Sequence, residues 1–292
     1  MTKELLQEQL EILDRTNMHK NAAKERVIPE SYLAYKNQVE QKETMLESPS
    51  TGVPVRCVIT KAPLFINLHG GGFVHPQDGD DDLFCARVAA EIGGIVVDVD
   101  YAVTPEYVFP TAFEQVWDVA EWAFAHAKEL GADSNRISIG GHSAGGALTA
   151  AICLRAAKTG NMKFALQILD YAALDNAMSF EPGGNERSRA FSMLYCDGNV
   201  RVLKSPYCSP VFASGEMLKN QPRTLIINAE HCPFRTVTER YGQRLAQAGN
   251  EVAFRLFPGS AHGFTIRMTG AWLEAQDLII RYLKKAEYRE VK

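Results

Sequence analysis

The sequence predicts an α/β protein: a mainly parallel central sheet with helices on both faces and a small helical cap. Three observations predict it. From about residue 63 onward, short apolar runs alternate with helical patterns. Those runs are continuous rather than apolar at every second position, as strands covered on both faces require. Two of them lead into glycine-rich turns, HGGGF (69–73) and GGHSAGG (140–146), the kind of turn that joins a strand to a helix at close quarters.

The elements follow in order. Residues 1–35 read as helical, with Leu6, Leu10 and Leu13 on one face. Residues 38–60 read as a hairpin extending one edge of the sheet. LFINL (64–68) is a strand. DDLFCARVAAEIG (81–93) is a helix that Gly93 or Gly94 closes. GIVVDVDY (94–101) is a strand. TAFEQVWDVAEWAFAHAKELG (111–131) is a helix, with Thr111 and Glu114 at capping-box spacing, Pro110 before it and Gly131 at its end. RISIG (136–140) is a strand, and a helix runs from Ser143 to about Lys158. FALQIL (164–169) and RTLIIN (223–228) are strands. The next helix carries Phe234, Val237, Tyr241, Leu245 and Ala248 on one face and stops at Gly249. EVAFRLF (251–257) is the last strand and AWLEAQDLIIRYLKK (271–285) the last helix. Residues 176–222 are rich in Gly, Pro and Ser and break the alternation; a long insertion of this kind is a functional lid or a loop. The expected organisation is an N-terminal cap segment at 1–35 and a sheet domain at 36–292, with a cap insertion at about 176–222. Both cap pieces are expected over the carboxyl ends of the strands.

Composition excludes several functional classes. The chain has 292 residues, 46% of them hydrophobic, enough for one large core. Its net charge is −4 with acidic and basic residues interspersed, so no basic stripe points to nucleic acid or an anionic membrane. No apolar run approaches the roughly 18–20 residues of a membrane span. The charged stretch MTKELLQEQLEILDRTNMHK does not read as a secretory signal. Six scattered cysteines, at 57, 85, 153, 196, 208 and 232, form no CxxC pair and read as reduced thiols of a cytoplasmic protein.

The chemistry sits in ISIGGHSAGG (137–146). Gly141-His142-Ser143-Ala144-Gly145 is a G-x-S-x-G nucleophile elbow, fed by a strand and left by a helix. Side chains at the flanking glycines would collide with neighbouring backbone. The tight turn raises the serine Oγ above the sheet, with the helix N-terminus behind it. In HGGGF, Gly71 and Gly72 can bring backbone N–H groups to an acyl oxygen, and the N–H of Ala144 would complete an oxyanion hole. His262, in GSAHGF (259–264) after the last strand, has the chain position of the general base.

With these motifs in place, the sequence resembles the hormone-sensitive-lipase-like branch of the α/β-hydrolase fold, which includes many carboxylesterases. The resemblance rests on HGGGF (69–73), DYAVTPEYVFP (100–110), GHSAGG (141–146), the AE-x-x-P segment (229–233) and GSAHGF (259–264), and spans about residues 60 to 285. It implies Ser143 as nucleophile, His262 as base, Gly71, Gly72 and Ala144 as oxyanion donors, and a lid over the acyl pocket. It also implies a carboxylic-ester hydrolase without cofactor or metal, acting on a small-molecule ester.

One position departs from the family. The pattern at 229–233 would read Ala-Glu-x-Asp-Pro; here it reads Ala229-Glu230-His231-Cys232-Pro233. Cys232 stands where the triad aspartate is expected. Three readings remain open: Glu230 reaches the imidazole, Cys232 serves as a thiol or thiolate, or Asp170 or Asp175 approaches from the preceding strand. Slow turnover is expected if no acid is present.

Other features carry less. DGDDD (78–82) reads as helix-capping carboxylates rather than a cation site. His75 lies beside HGGGF, either lining the acyl pocket or on the surface. His142 is expected to point away from substrate. Phe191, Tyr195, Tyr207 and Phe212 are cap aromatics that either line an acyl site or pack the lid. The expected substrate has a short acyl chain. The rival readings are a catalytically impaired hydrolase that binds a small molecule and a peptidase of the same fold. A homodimer is compatible with the sequence.

Overall fold

A computed structural model describes residues 1–16, 28–38, 42–59, 64–77 and 79–286. Its described residues form one eight-stranded sheet: β1 (Lys42–Leu46), β2 (Val55–Ile59), β3 (Leu64–Leu68), β4 (Ile95–Asp100), β5 (Ser138–His142), β6 (Leu166–Asp170), β7 (Thr224–His231) and β8 (Val252–Ala261). The spatial order is β1-β2-β4-β3-β5-β6-β7-β8. The β1–β2 pair is antiparallel, β2 joins β4 antiparallel, and every later pairing is parallel. The expected hairpin therefore closes one edge of the parallel sheet.

The strands are apolar on both sides because helices cover both faces. Leu64, Ile66 and Leu68 of β3 pack with α4 (Thr111–Ala125) and α5 (Ala144–Thr159), through Val116, Trp117, Ala147 and Ala151. Phe65 of the same strand faces the other way, with Phe84 and Val88 of α3 (Asp80–Ile92) and Ile279 and Leu283 of α9 (Trp272–Lys284). On the α4–α5 side, α7 (Arg235–Gln247) adds Tyr241 and Leu245 against Leu169 and Ile226. Burying one such side chain is worth about 1.5–3 kcal/mol.

Several boundaries differ from the sequence reading. Gly93 closes α3 with φ 60°, the left-handed cap the pattern expected. The capping box at Thr111 does not form. Pro110 is the residue before α4, and Glu114 is held by Arg155 at 2.6 Å instead. α4 ends at Ala125, six residues before Gly131. Strands β7 and β8 continue past their apolar stretches to His231 and Ala261, held by pairs such as Ala229 with Phe257 and His231 with Ala261.

The segment 176–222 is mostly turns but contains α6 (Glu186–Tyr195). α1 (Lys3–Arg15) lies on α6, with Leu13 buried against Ala190 and Leu194, and Leu6 and Leu10 beside them. α2 (Glu30–Gln38) crosses the expected boundary at residue 35. Its Tyr32 packs edge-on against Trp272 and beside Leu83, on the flank of the sheet. Residues 17–27 of the expected cap segment lie outside the described residues, as does Asp78 of DGDDD. Asp80, Asp81 and Asp82 occupy the first turn of α3. Among the described residues, no helix is long and apolar enough to cross a membrane.

Candidate active site

The elbow between β5 and α5 is as cramped as its glycines suggested. Ser143 sits at φ 54° and ψ −111°, in the left-handed half of the map that an L side chain rarely adopts. A Cβ on Gly145 would lie 2.0 Å from the Leu68 carbonyl oxygen, and one on Gly141 would lie 2.4 Å from the Gly145 carbonyl carbon. Only glycine lets the two strand ends and the helix start come this close. The Ser143 N–H donates to the Asp170 carbonyl at 3.0 Å and its carbonyl accepts from Ala173 at 2.9 Å, so the strained turn is anchored to the end of β6.

His262 follows directly on β8, and its Nε2 lies 2.9 Å from Ser143 Oγ. That is hydrogen-bond distance. Two rings hold the imidazole edge-on: Tyr171 at 4.9 Å and Phe234 at 5.4 Å between centroids. The sequence reading did not single out Tyr171, which follows Asp170 at the end of β6, and it assigned Phe234 to a helix face. Phe234 is instead the residue that precedes α7.

The imidazole Nδ1 faces Cys232 Sγ at 3.2 Å. Of the side chains in the three readings for the third member, Cys232 is the one that makes this contact. Glu230 is corrected: β7 runs through it, so its side chain points outward and accepts from the Gly259 N–H on β8 at 2.7 Å. Asp175 accepts from the N–H groups of Ala177 and Met178. Asp170 is buried against His142, at 2.8 Å from its Nδ1. Burial pushes the Cys232 thiol up to about 12, so it is neutral at physiological pH. With Nε2 accepting from serine, Nδ1 carries the ring proton and donates to sulfur.

The HGGGF loop crosses the other side of the serine. Gly71 and Gly72 have φ 113° and 65°. Among the described residues, no acceptor takes the N–H of Gly71, Gly72 or Ala144. Three such donors beside a nucleophile are what a developing oxyanion needs. A Cβ on Gly72 would lie 2.7 Å from the Phe191 ring, and one on Gly71 would lie 2.6 Å from the His75 carbonyl. His75 meets Phe191 edge-on at 5.8 Å, so it lies beside the site. Among the four cap aromatics, Phe191 lies against Gly72 of the loop. Tyr195 is core, stacked on Phe73 at 3.7 Å; Tyr207 stacks on Phe113; Phe212 is exposed.

Beneath the elbow lies a polar layer that the sequence reading missed. His142 points away from the serine as expected, but into a buried pairing with Asp170, and 3.8 Å from Asp81. Burial disfavours its charge, yet the hydrogen bond and charge of Asp170 outweigh burial and push the imidazole up. Asn67 bridges Asp81 and Asp98 at 3.0 and 2.8 Å. The available signal was register, since His142 and Asp170 are Cα partners at the ends of adjacent parallel strands.

Comparisons with known proteins bear on the family and the fold. A family profile described as the alpha/beta hydrolase fold matches residues 65–266. Esterase LipI of Mycobacterium tuberculosis is 33% identical over 214 residues, which are 70% of this chain and 66% of LipI. An arylesterase of Saccharolobus solfataricus is 31% identical over 218 residues, 70% of this chain and 69% of that protein. The solved structure of an esterase from the archaeon Pyrobaculum calidifontis superposes with a TM-score of 0.79 at 27% identity, covering 98% of both chains.

Proposed function

The chain belongs to the alpha/beta hydrolase fold family, of the hormone-sensitive-lipase-like type, and from that premise we propose that it hydrolyses carboxylic esters through an acyl-enzyme on Ser143. The observation that carries the reading is the 2.9 Å contact between Ser143 Oγ and His262 Nε2 on a strained elbow. The names of the relatives, esterase and arylesterase, support the same bond as the target.

His262 Nε2 accepts the serine proton as Oγ attacks the ester carbonyl carbon. The N–H groups of Gly71, Gly72 and Ala144 stabilise the negative oxygen of the tetrahedral intermediate. The imidazolium returns its proton to the departing alkoxide, and the alcohol leaves. Water then attacks the acyl-serine with His262 again as base, releasing the acid and free Ser143. The neutral Cys232 thiol orients the imidazole but supplies no anion to stabilise its charged form. In the serine-protease template, loss of the acid lowers kcat by about 10⁴, with about 10³–10⁴ over water retained from the remaining machinery. Turnover is therefore expected to be slow.

α1 and α6 form a modest cap, with Phe191 on α6 against Gly72 of the oxyanion loop, which favours short acyl chains. A cytoplasmic setting with six free cysteines and a homodimer belong to the same reading. The test is covalent labelling. A fluorophosphonate should modify Ser143 in the wild type and not in Ser143→Ala. p-Nitrophenyl acetate should be cleaved faster than the decanoate. Folded wild-type protein that acquires no adduct and cleaves neither ester would overturn the proposal and leave a small-molecule binder.

A further inference from the structure

Two arginines flank the site, and neither enters the ester chemistry just described. Arg187, on the first turn of α6, has its guanidinium 4.8 Å from the centre of the Phe191 ring, the ring that rests on Gly72. Its Nη2 lies 3.4 Å from His75 Nε2, beside the same loop. Arg267, at the end of α8 (Phe264–Arg267), lies along the backbone of the catalytic histidine. Its Nη1 is 3.5 Å from the His262 carbonyl, and its Cζ is 2.8 Å from where a Cβ on Gly263 would stand. One guanidinium thus borders the oxyanion loop and the other borders the base.

We propose that the ester hydrolysed here carries a second, ionised carboxylate, and that Arg187 receives that group. The inference rests on the esterase reading above and names the substrate class within it. Three observations carry it. First, among the described residues Arg187 donates to the Leu13 carbonyl at 3.3 Å and the Thr16 hydroxyl at 3.4 Å and meets the His75 ring at 3.4 Å, with no carboxylate among these partners. Other arginines of the molecule hold carboxylates: Arg15 with Glu186 at 2.9 Å, Arg155 with Glu114 at 2.6 Å and Arg235 with Glu239 at 2.8 Å. Second, Arg187 is half-buried. Burial first, and then repulsion from Arg267, lower its affinity for a proton, with no acidic neighbour acting the other way. An incoming anion relieves both effects. Third, the chain as a whole carries a net charge of −4, so a cation next to the ring that rests on the oxyanion loop is a local arrangement and not a general surplus. A guanidinium binds a carboxylate through paired donors, and a partly desolvated one does so more strongly than one in water.

The test compares matched esters with and without the extra charge. On the acyl side the pair is the mono-p-nitrophenyl ester of adipic acid against p-nitrophenyl hexanoate. On the alcohol side it is meta-acetoxybenzoate against meta-tolyl acetate. In at least one pair kcat/KM for the anion should exceed that for the neutral ester by about tenfold or more, the size of a charge-assisted hydrogen bond. Added salt should shrink the ratio, and Arg187→Met should collapse it toward one. An arginine that only ties α1 to α6 would leave the ratio unmoved. Should the variant not fold, the wild-type ratio and its salt dependence decide. Neutral esters preferred in both pairs, or a preference that survives Arg187→Met, would overturn this inference while leaving the esterase reading intact. Turnover of no ester would remove both.

Discussion

In the proposed mechanism, Cys232 limits how far the imidazole can be stabilised once it takes the serine proton. Its sulfur already lies at the Nδ1 side of the ring, 3.2 Å away, at the position a carboxylate would take. Cys232→Asp puts a carboxylate at the same backbone position. We expect kcat on p-nitrophenyl acetate to rise, by up to the roughly 10⁴ that separates a triad from one without its acid. Glu230→Gln should leave kcat within about threefold, because it alters only an exposed hydrogen bond to Gly259. If Glu230→Gln instead abolishes turnover and Cys232→Asp changes nothing, the carboxylate at 230 reaches the histidine in solution. Ser143, His262 and the glycines were legible in the sequence because each sits in a local motif whose backbone geometry dictates its residues. The acid was not, because choosing between 230 and 232 requires knowing where β7 ends. The polar run Asn228-Ala229-Glu230-His231 gives no apolar pattern from which to read that end.

At the scale of elements, β4 and α3 share a buried acidic layer beneath the elbow. Asp98 accepts from Asn67 at 2.8 Å and from Gln77 at 3.1 Å. Burial, then the nearby charge of Asp81, raises it from 3.8 to about 7. The folded state thus holds the Asp98 proton more tightly than the unfolded chain does. That stabilisation is complete below about 4 and is lost as pH rises toward 7. Asp98→Asn cannot titrate, so its melting temperature relative to wild type should climb between pH 4 and pH 8. A difference that falls over that range would mean Asp98 is ionised and held by its two amide donors. The strands of this layer were legible because β3, β4 and β5 are apolar runs buried on both faces. The layer itself was not. Asp81 reads in sequence as a helix-capping carboxylate, and its contact with Asn67 exists only because β3 and α3 are brought together.

For the whole molecule, the question is whether the cap and the sheet unfold together. The cluster around Leu13, Ala190 and Leu194 contains no strand residue, while the clusters on the two sheet faces contain neither α1 nor the buried side of α6 near Leu13. Two residues link that cluster to the site: Phe191, which meets Gly72, and Val74, which follows the oxyanion loop. Alternation of strands and helices made the sheet domain legible from end to end. The cap was not, since α1 shows one-face leucine spacing but no signal of what covers it, and α6 lies in a stretch of poor periodicity. Leu13→Ala removes a buried side chain of the kind that costs about 2–5 kcal/mol in a core. If the cap opens as its own unit, that loss loosens Phe191 and Val74 before it reaches the sheet. kcat/KM for neutral esters and the rate of fluorophosphonate labelling should then fall several-fold, while the main melting transition shifts little. Thermal unfolding followed in parallel with the labelling rate separates the two cases. A main transition lowered by several degrees, with labelling per folded molecule unchanged, would place α1 inside the cooperative unit of the sheet.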